Sequence, residues 1–238
     1  MMPSRTLLIY CLFLGYIPAF AQVDANYCGS LANGFGPFDY RPDRDPPTPG
    51  SGTHSEKLAV VEGAHFTKEI ELLIRGRSGG VDPGGDMSYT LMAFPNHHRA
   101  LISVMHYGEK KASAKPPGLR YDVECYFERA IRFRSDDAIV RIIYATYLTK
   151  NKRATEAVAQ LEQATRIADQ NGFTHYNIGL AYFDMKIYDK ALAQAHRALA
   201  LGFEQTSLRD LLEKASQWKN PAQVPMSTLA DIPASAPQ

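Results

Sequence analysis

Residues 173–201 read FTHYNIGLAYFDMKIYDKALAQAHRALAL, and this stretch decides the fold. Five alanines in and before it recur at one fixed interval, Ala130, Ala164 and Ala198 in one series and Ala157 and Ala191 in another. Such a period is typical of repeats in which each unit is two antiparallel helices that bury their apolar faces against neighbouring units. The sequence therefore predicts an all-α solenoid of helical hairpins.

The same stretch resembles the tetratricopeptide repeat (TPR) family. Ile178-Gly179 stands at the family's Leu-Gly pair, Tyr182 at its tyrosine, and Ala191 and Ala198 at its small positions. The resemblance implies that the small residues let two helices approach closely and leave room for the next unit. A looser match one interval upstream places three more residues at packing positions, namely Ala145, Ala157 and Ala164.

A third unit is indicated further upstream by FPNHHRAL at residues 94–101, which resembles the boundary between TPR units. We expect Pro95 to end one helix and Asn96 to cap the next, which would run to about Tyr107 and stop at Gly108. Its partner helix would span residues 123–134, with Ala130 at the family's alanine position. The interval from Pro95 to the equivalent Ser135 is longer than the alanine interval, and the six additional residues lie within 109–121.

The resemblance covers residues 86–218, as about three repeats with a preceding half-repeat and a capping helix at 207–218. Residues 57–110 also resemble exported bacterial repeat proteins, which implies no activity. Before the array we expect a Pro/Gly-rich arm or linker (22–56) and a short N-terminal subdomain (57–85), and after it a disordered tail (219–238). Aromatic residues in the arm indicate that it packs along another surface and is not free in solution.

Two features of the subdomain and arm remain open in the sequence. Residues 57–64 fit either a strand or a helix, while Thr67 is a credible N-cap for a helix through Ile74. Cys28 and Cys125 fit a disulfide in an oxidising compartment, and the alternative is two unpaired thiols.

Residues 1–21 have the pattern of a secretory signal peptide. Arg5 supplies a positive charge, residues 7–14 are apolar, and Ala19-Phe20-Ala21 provides the small residues of a cleavage site. The apolar run is shorter than the roughly 20 residues that a membrane anchor needs. We expect cleavage after Ala21, a periplasmic or secreted protein, and no membrane insertion after cleavage.

Composition and motifs argue against several functional classes. Lysines and arginines number 26 against 25 acidic residues, a balance that does not favour nucleic acid as a partner. The familiar motifs of serine hydrolases, zinc proteases and haem attachment are missing from the sequence. We therefore expect neither an enzyme nor a cofactor. The acidic pair Asp136-Asp137 fits the start of a helix, where carboxylates cap the backbone.

By register with the TPR family, the first helix of each unit would line a concave binding groove. The resemblance places these residues there: Arg99, Ile102 and His106; Ile139, Ile142, Thr146 and Lys150; Phe173, Tyr176, Leu180 and Phe183. Most of these side chains are apolar or aromatic, which favours a protein ligand. The open alternative is that the N-terminal arm fills the groove.

The resemblance implies an exported scaffold or adaptor that binds a peptide or helix of another envelope protein in this groove. One alternative is a structural subunit of a secretion, pilus or cell-wall assembly. Another is a metal-dependent enzyme or sensor that uses His97, His98 and His106. Adjacent histidines on a helix point apart, however, and no acidic third ligand is close in sequence.

Overall fold

The computed structural model describes residues 28–47, 52–77 and 82–221. The predicted signal peptide lies outside the described residues, and so does all of the predicted tail beyond residue 221. Within these ranges the fold is all-helical, with helices packed in neighbouring pairs. The described helices include none that combines the length and the apolar character needed to cross a membrane.

The described residues form ten α-helices and a single turn of 3-10 helix at Pro42–Arg44. In chain order the α-helices are α1 (His54–His65), α2 (Lys68–Glu71), α3 (Gly84–Ala93), α4 (His98–Lys111), α5 (Val123–Phe133), α6 (Ala138–Lys150), α7 (Ala154–Ala168), α8 (Gly172–Asp184), α9 (Tyr188–Ala200) and α10 (Ser207–Lys214).

The helices pack in a regular order along the chain. α6 packs on α7 and α8 on α9 along their lengths, as hairpins. α5, α7 and α9 each contact the helix that follows them, and α2, α4, α6, α8 and α10 contact one another in sequence. The first helices therefore form one layer, and the second helices bridge consecutive members of that layer.

The helices of this layer share one C-terminal geometry. Each ends next to a non-glycine residue with φ between 48° and 62°, namely Leu73, Ala112, Lys152, Lys186 and Ser216. In each case the following amide donates to the carbonyl five positions earlier, as Arg153 does to Leu148 and Ile187 does to Tyr182. This bond satisfies a carbonyl that the helix end would otherwise leave open. The bonds donated by Arg153 and Ile187 are separated by the same interval as the alanines.

The starts of the first helices repeat in the same way. The N-caps of α4, α6 and α8 are His97, Asp137 and Asn171, and each side chain accepts a hydrogen bond from a backbone amide of the first turn. Asp137 and Asn171 are separated by the alanine interval, whereas the separation of His97 from Asp137 is six positions longer. The structure therefore contains the longer first unit that the sequence predicts.

Two predicted details of that unit are wrong. α4 does not stop at Gly108 but continues to Lys111, and Val123 packs so close that a Cβ on Gly108 would lie 3.0 Å from its Cγ2. Gly108 thus serves a close contact rather than a helix end. Asn96 does not cap α4 either, because its side chain is buried in contacts with the arm and His97 takes the cap position.

The N-terminal subdomain is helical where the sequence left the choice open. Thr53 and Glu56 form a capping box that starts α1, so residues 57–64 lie inside a helix. Thr67 does precede α2, but this helix ends at Glu71 and not at Ile74, because Leu73 adopts a left-handed conformation. The predicted helix is therefore too long.

The core contains the residues that the repeat pattern assigns to packing. These are Ala130, Ala145, Ala157, Ala164, Gly179, Tyr182, Ala191 and Ala198, all of them buried. Small side chains at these points bring helix backbones together, while the aliphatic and aromatic residues around them fill the remaining space.

A disulfide joins Cys28 to Cys125, with the two Cα atoms 5.1 Å apart. It fixes the described part of the arm to α5. Buried Arg129 strengthens this attachment, because its Nη1 donates to the carbonyls of Cys28 and Ser30 at 2.9 and 2.7 Å. The arm is thus held by a covalent bond and by an arginine that satisfies backbone groups without a helix or sheet.

Candidate binding surface

The surface that the sequence predicts lies on the layer formed by α4, α6 and α8. On each helix the predicted residues recur every three or four positions and so share one face. Ile102 and Phe173 are the most exposed apolar members, with 38% and 51% of their surface accessible. His106 and Lys150 are also exposed, and five residues are half-buried: Ile139, Thr146, Tyr176, Leu180 and Phe183. Ile142 is 9% exposed and contributes little.

The part of this surface on α8 rests on an aromatic cluster. The rings of Phe173 and Tyr176 lie 5.8 and 5.1 Å from the ring of Phe203, which follows α9. Phe183 contacts Tyr188 in an edge-on arrangement at 5.5 Å. Contacts with neighbouring rings restrict how these α8 side chains can move.

The turn after α2 extends the apolar surface beyond the predicted set. Leu72 and Ile74 are 55% and 61% exposed. Ser103 donates to the carbonyl of Glu71 at 3.1 Å and Lys110 to that of Leu73 at 2.8 Å, so this turn lies along α4 near Ile102. Sequence reasoning assigned this apolar run to a longer helix and missed its exposure.

Arg99 differs from the other predicted surface residues because acidic partners already hold it. Its guanidinium lies 2.8 Å from Glu71 and 3.1 Å from Glu62. Hydrogen bonds from Arg99 lower the pKa of Glu71 to about 2. Arg99 therefore fastens α4 to α1 and α2, although its side chain stays 44% exposed one helical turn before Ile102.

The described part of the arm lies at the N-terminal edge of this layer. Phe38 donates its amide to the carbonyl of Ala93, and Tyr40 stacks on His97 with ring centroids 4.2 Å apart. Arg41 forms an ion pair with Asp136 at the start of α6. Ala93 is the last residue of α3, whereas His97 and Asp136 stand just before α4 and α6. These contacts and the links to α5 hold residues 28–47 away from the stripe that begins at Ile102, so this part of the arm does not fill the groove.

Asn96 is the centre of the junction between arm and array. Its amide nitrogen donates to Asp39 at 2.7 Å and to Asp137 at 2.9 Å, while its oxygen accepts the amide of Tyr40 at 2.9 Å. Burial disfavours the charged form of Asp137, but hydrogen bonds from His98 and Asn96 outweigh burial and lower its pKa. The prediction that Asp137 caps a helix is correct. The sequence did not predict that Asp137 also accepts a hydrogen bond from Asn96 at the junction of arm and array.

The three clustered histidines have three different surroundings. His97 is fully buried with its Nε2 2.9 Å from Glu62, and burial lowers its pKa. His98 directs its Nε2 to Asp137 at 2.9 Å, and His106 is exposed. Across the ranges that the structure describes, no group of three His, Cys, Asp or Glu residues is placed to hold a metal ion.

Comparisons with known proteins identify no family for this chain. No family model, no curated protein and no solved structure matches it.

Proposed function

We propose that this chain is an exported scaffold of the TPR type that binds a peptide or helix of another envelope protein on the exposed face of α4, α6 and α8. The observation that carries the proposal is the row of exposed and half-exposed apolar side chains across three helices that contact one another. A monomeric protein rarely exposes apolar groups in a continuous row unless they bind something.

The repeat geometry supports the TPR assignment. The spacing of Asp137 from Asn171 matches the TPR period, and second helices bridge consecutive first helices, as TPR hairpins would. The Cys28–Cys125 disulfide supports export, because disulfides persist mainly in oxidising compartments.

Site-specific photo-crosslinking tests the binding surface. A photoreactive side chain at Ile102 is compared with one at Leu199, which is equally exposed at 38% but lies on α9, outside the layer of first helices. In envelope extracts, we expect a discrete crosslinked species from Ile102 and none from Leu199. Crosslinking of the same species from both positions, or from neither, would contradict the proposal.

A second crosslinking experiment tests whether one partner spans the surface. With the photoreactive group at Phe173 on α8, the substitution Ile102→Asp places a charge on α4 and should reduce crosslinking at Phe173 if the same ligand covers both. Circular dichroism should show unchanged helicity, because Ile102 is exposed. Undiminished crosslinking in the folded variant would mean that α4 is not part of the binding site.

A further inference from the structure

A cavity of about 290 Å³ opens between the C-terminal ends of α4 and α6. Residues 112–114 form one wall, and they belong to the longer connection of the first unit. In the two shorter units, the turns at 151–153 and 185–187 make the same connection with only a few residues. The longer connection therefore supplies a wall of the cavity that the two shorter turns do not have.

The cavity combines apolar walls with one carboxylate at its rim. Met105, Val123 and Tyr147 supply apolar surface, and Glu109 and Asn151 supply polar groups. A lining of this kind suits a side chain that has an aliphatic stem and a polar end.

Glu109 is the one charged residue in the lining of the cavity, and the exposed Lys115 and Lys152 adjoin the lining residues Ala114 and Asn151 in the sequence. α4 and α6 both end there, and the C-terminal end of a helix carries a partial negative charge. Lys110 and Lys111, at the end of α4, are engaged elsewhere, with Leu73 at 2.8 Å and Asp82 at 2.7 Å. The acidic group of the lining, Glu109, therefore does not face these two lysines.

The side chain of Lys150 already places a cation at the rim of this cavity. Its ammonium lies 3.0 Å from the carboxylate of Glu109, and both side chains are more than two-fifths exposed. Exposed pairs of this kind contribute about 0–1 kcal/mol, so another cation can replace Lys150 at little cost. Lys150 also belongs to the predicted binding surface, which brings the cavity to the edge of that surface.

We propose that this cavity binds a lysine or arginine side chain of the protein partner, with the stem against Met105, Val123 and Tyr147 and the cation at Glu109. This inference rests on the proposed scaffold function and adds the chemistry of one anchoring residue. Free alkylamines offer the same group, so they serve as probes, and partner crosslinking distinguishes the two sources.

The first experiment titrates pentylamine, pentanol and pentanoate into the folded chain and follows binding by NMR. We expect millimolar binding of pentylamine, weaker binding of pentanol and none of pentanoate. Ala114→Phe should fill the cavity from an exposed loop position and abolish amine binding, while Ala200→Phe, at an exposed position of α9 outside the lining, should have no effect. Equal binding of amine and alcohol, or retained binding in Ala114→Phe, would overturn the proposal.

Lys150→Met and Glu109→Gln test the competition directly. Removing the resident ammonium should raise the affinity for pentylamine by about 1.5- to 5-fold, the range measured for exposed ion pairs, whereas removing the carboxylate should lower it by a similar factor. A merely structural role of the Lys150–Glu109 pair would not raise the affinity in Lys150→Met. An unchanged or lower affinity in Lys150→Met would therefore overturn the assignment of the cation site.

The second experiment repeats the crosslinking from Ile102 in the Ala114→Phe and Ala200→Phe variants. We expect Ala114→Phe to reduce partner capture, and acetylation of the partner's lysines to reduce capture by the unchanged chain if the anchor is a lysine. If the unchanged chain binds amines selectively but the Ala114→Phe variant still captures the partner fully, the cavity binds a free amine and the partner assignment is overturned. Selective amine binding with no partner captured from any position would refute the scaffold function and leave the cavity's cation preference intact.

Discussion

Gly179 in α8 offers the sharpest test of how the last repeat packs. A Cβ at this position would overlap the side chain of Leu208 in α10 and lie 3.3 Å from the Cβ of Gln194 and 3.4 Å from the carbonyl of Ala191, both in α9. Three helices meet here, and only the end of Leu208 can move aside easily. Gly179→Ala therefore forces the end of Leu208 aside and places a methyl group 3.3 Å from the Cβ of Gln194.

The expected magnitude follows from two opposing effects. Replacing glycine by alanine in an open helix position stabilises by about 0.5–1 kcal/mol. Overpacking a filled contact costs about 1–3 kcal/mol. Gly63 in α1 is the matched control, because a Cβ there would meet no heavy atom within 4 Å. The difference between Gly179→Ala and Gly63→Ala isolates the crowding at about 1–3 kcal/mol.

Thermal and urea unfolding, followed by circular dichroism, measure this difference. For a chain of this size it corresponds to a difference in Tm of about 2–12 °C, with Gly63→Ala above the unchanged protein. Gly179→Leu places more carbon atoms in the same space and should lower the free energy of unfolding further than Gly63→Leu does. Equal stability of Gly179→Ala and Gly63→Ala would refute the packing of α8 against α9 and α10.

Three other substitutions test the junctions at the N-terminal side. Asn96→Leu should lower the free energy of unfolding by about 1–3 kcal/mol in urea, because it removes one donor from each of two buried carboxylates and the acceptor of the Tyr40 amide, and a neutral effect would contradict that arrangement. Arg99→Gln should return the pKa of Glu71 from about 2 toward its ordinary 4.5, as read by NMR titration. A carboxyl group whose pKa is lower in the folded than in the unfolded protein stabilises the fold at pH values above its unfolded pKa. The unchanged protein should therefore lose stability more steeply than this variant as the pH falls from 4.5 to about 2. The pair Cys28→Ser and Cys125→Ser opens a loop of 97 residues and should cost up to about 4–5 kcal/mol, with faster hydrogen exchange in residues 28–47 but not in α8.

The helical hairpins and their order follow from local sequence. Small residues at a fixed interval, such as Ala157 and Ala191, indicate where backbones approach, and helix periodicity is a property of neighbouring residues. The longer interval of the first unit also follows from this pattern. The all-helical fold is confirmed, while the assignment to the TPR family and the partner-binding role stay predictions.

The details that sequence reasoning missed all depend on contacts between distant residues. Gly108 looks like a helix stop until Val123 is seen against it, and Asn96 looks like a cap until it is seen between Asp39 and Asp137. In both cases the local preference of the residue type is weak, and burial of a polar amide or close approach of another helix decides its role.

The sequence by itself determined that this chain forms helical hairpins at regular intervals, because periodic apolar and small residues specify helices and their contacts locally. Only the tertiary structure decided which apolar residues stay exposed, that the described arm packs on α3, α5 and the starts of α4 and α6, and that a cavity opens beside Glu109 and Lys150. Exposure and cavities are properties of how separate helices and loops come together in space. No single stretch of sequence contains that information.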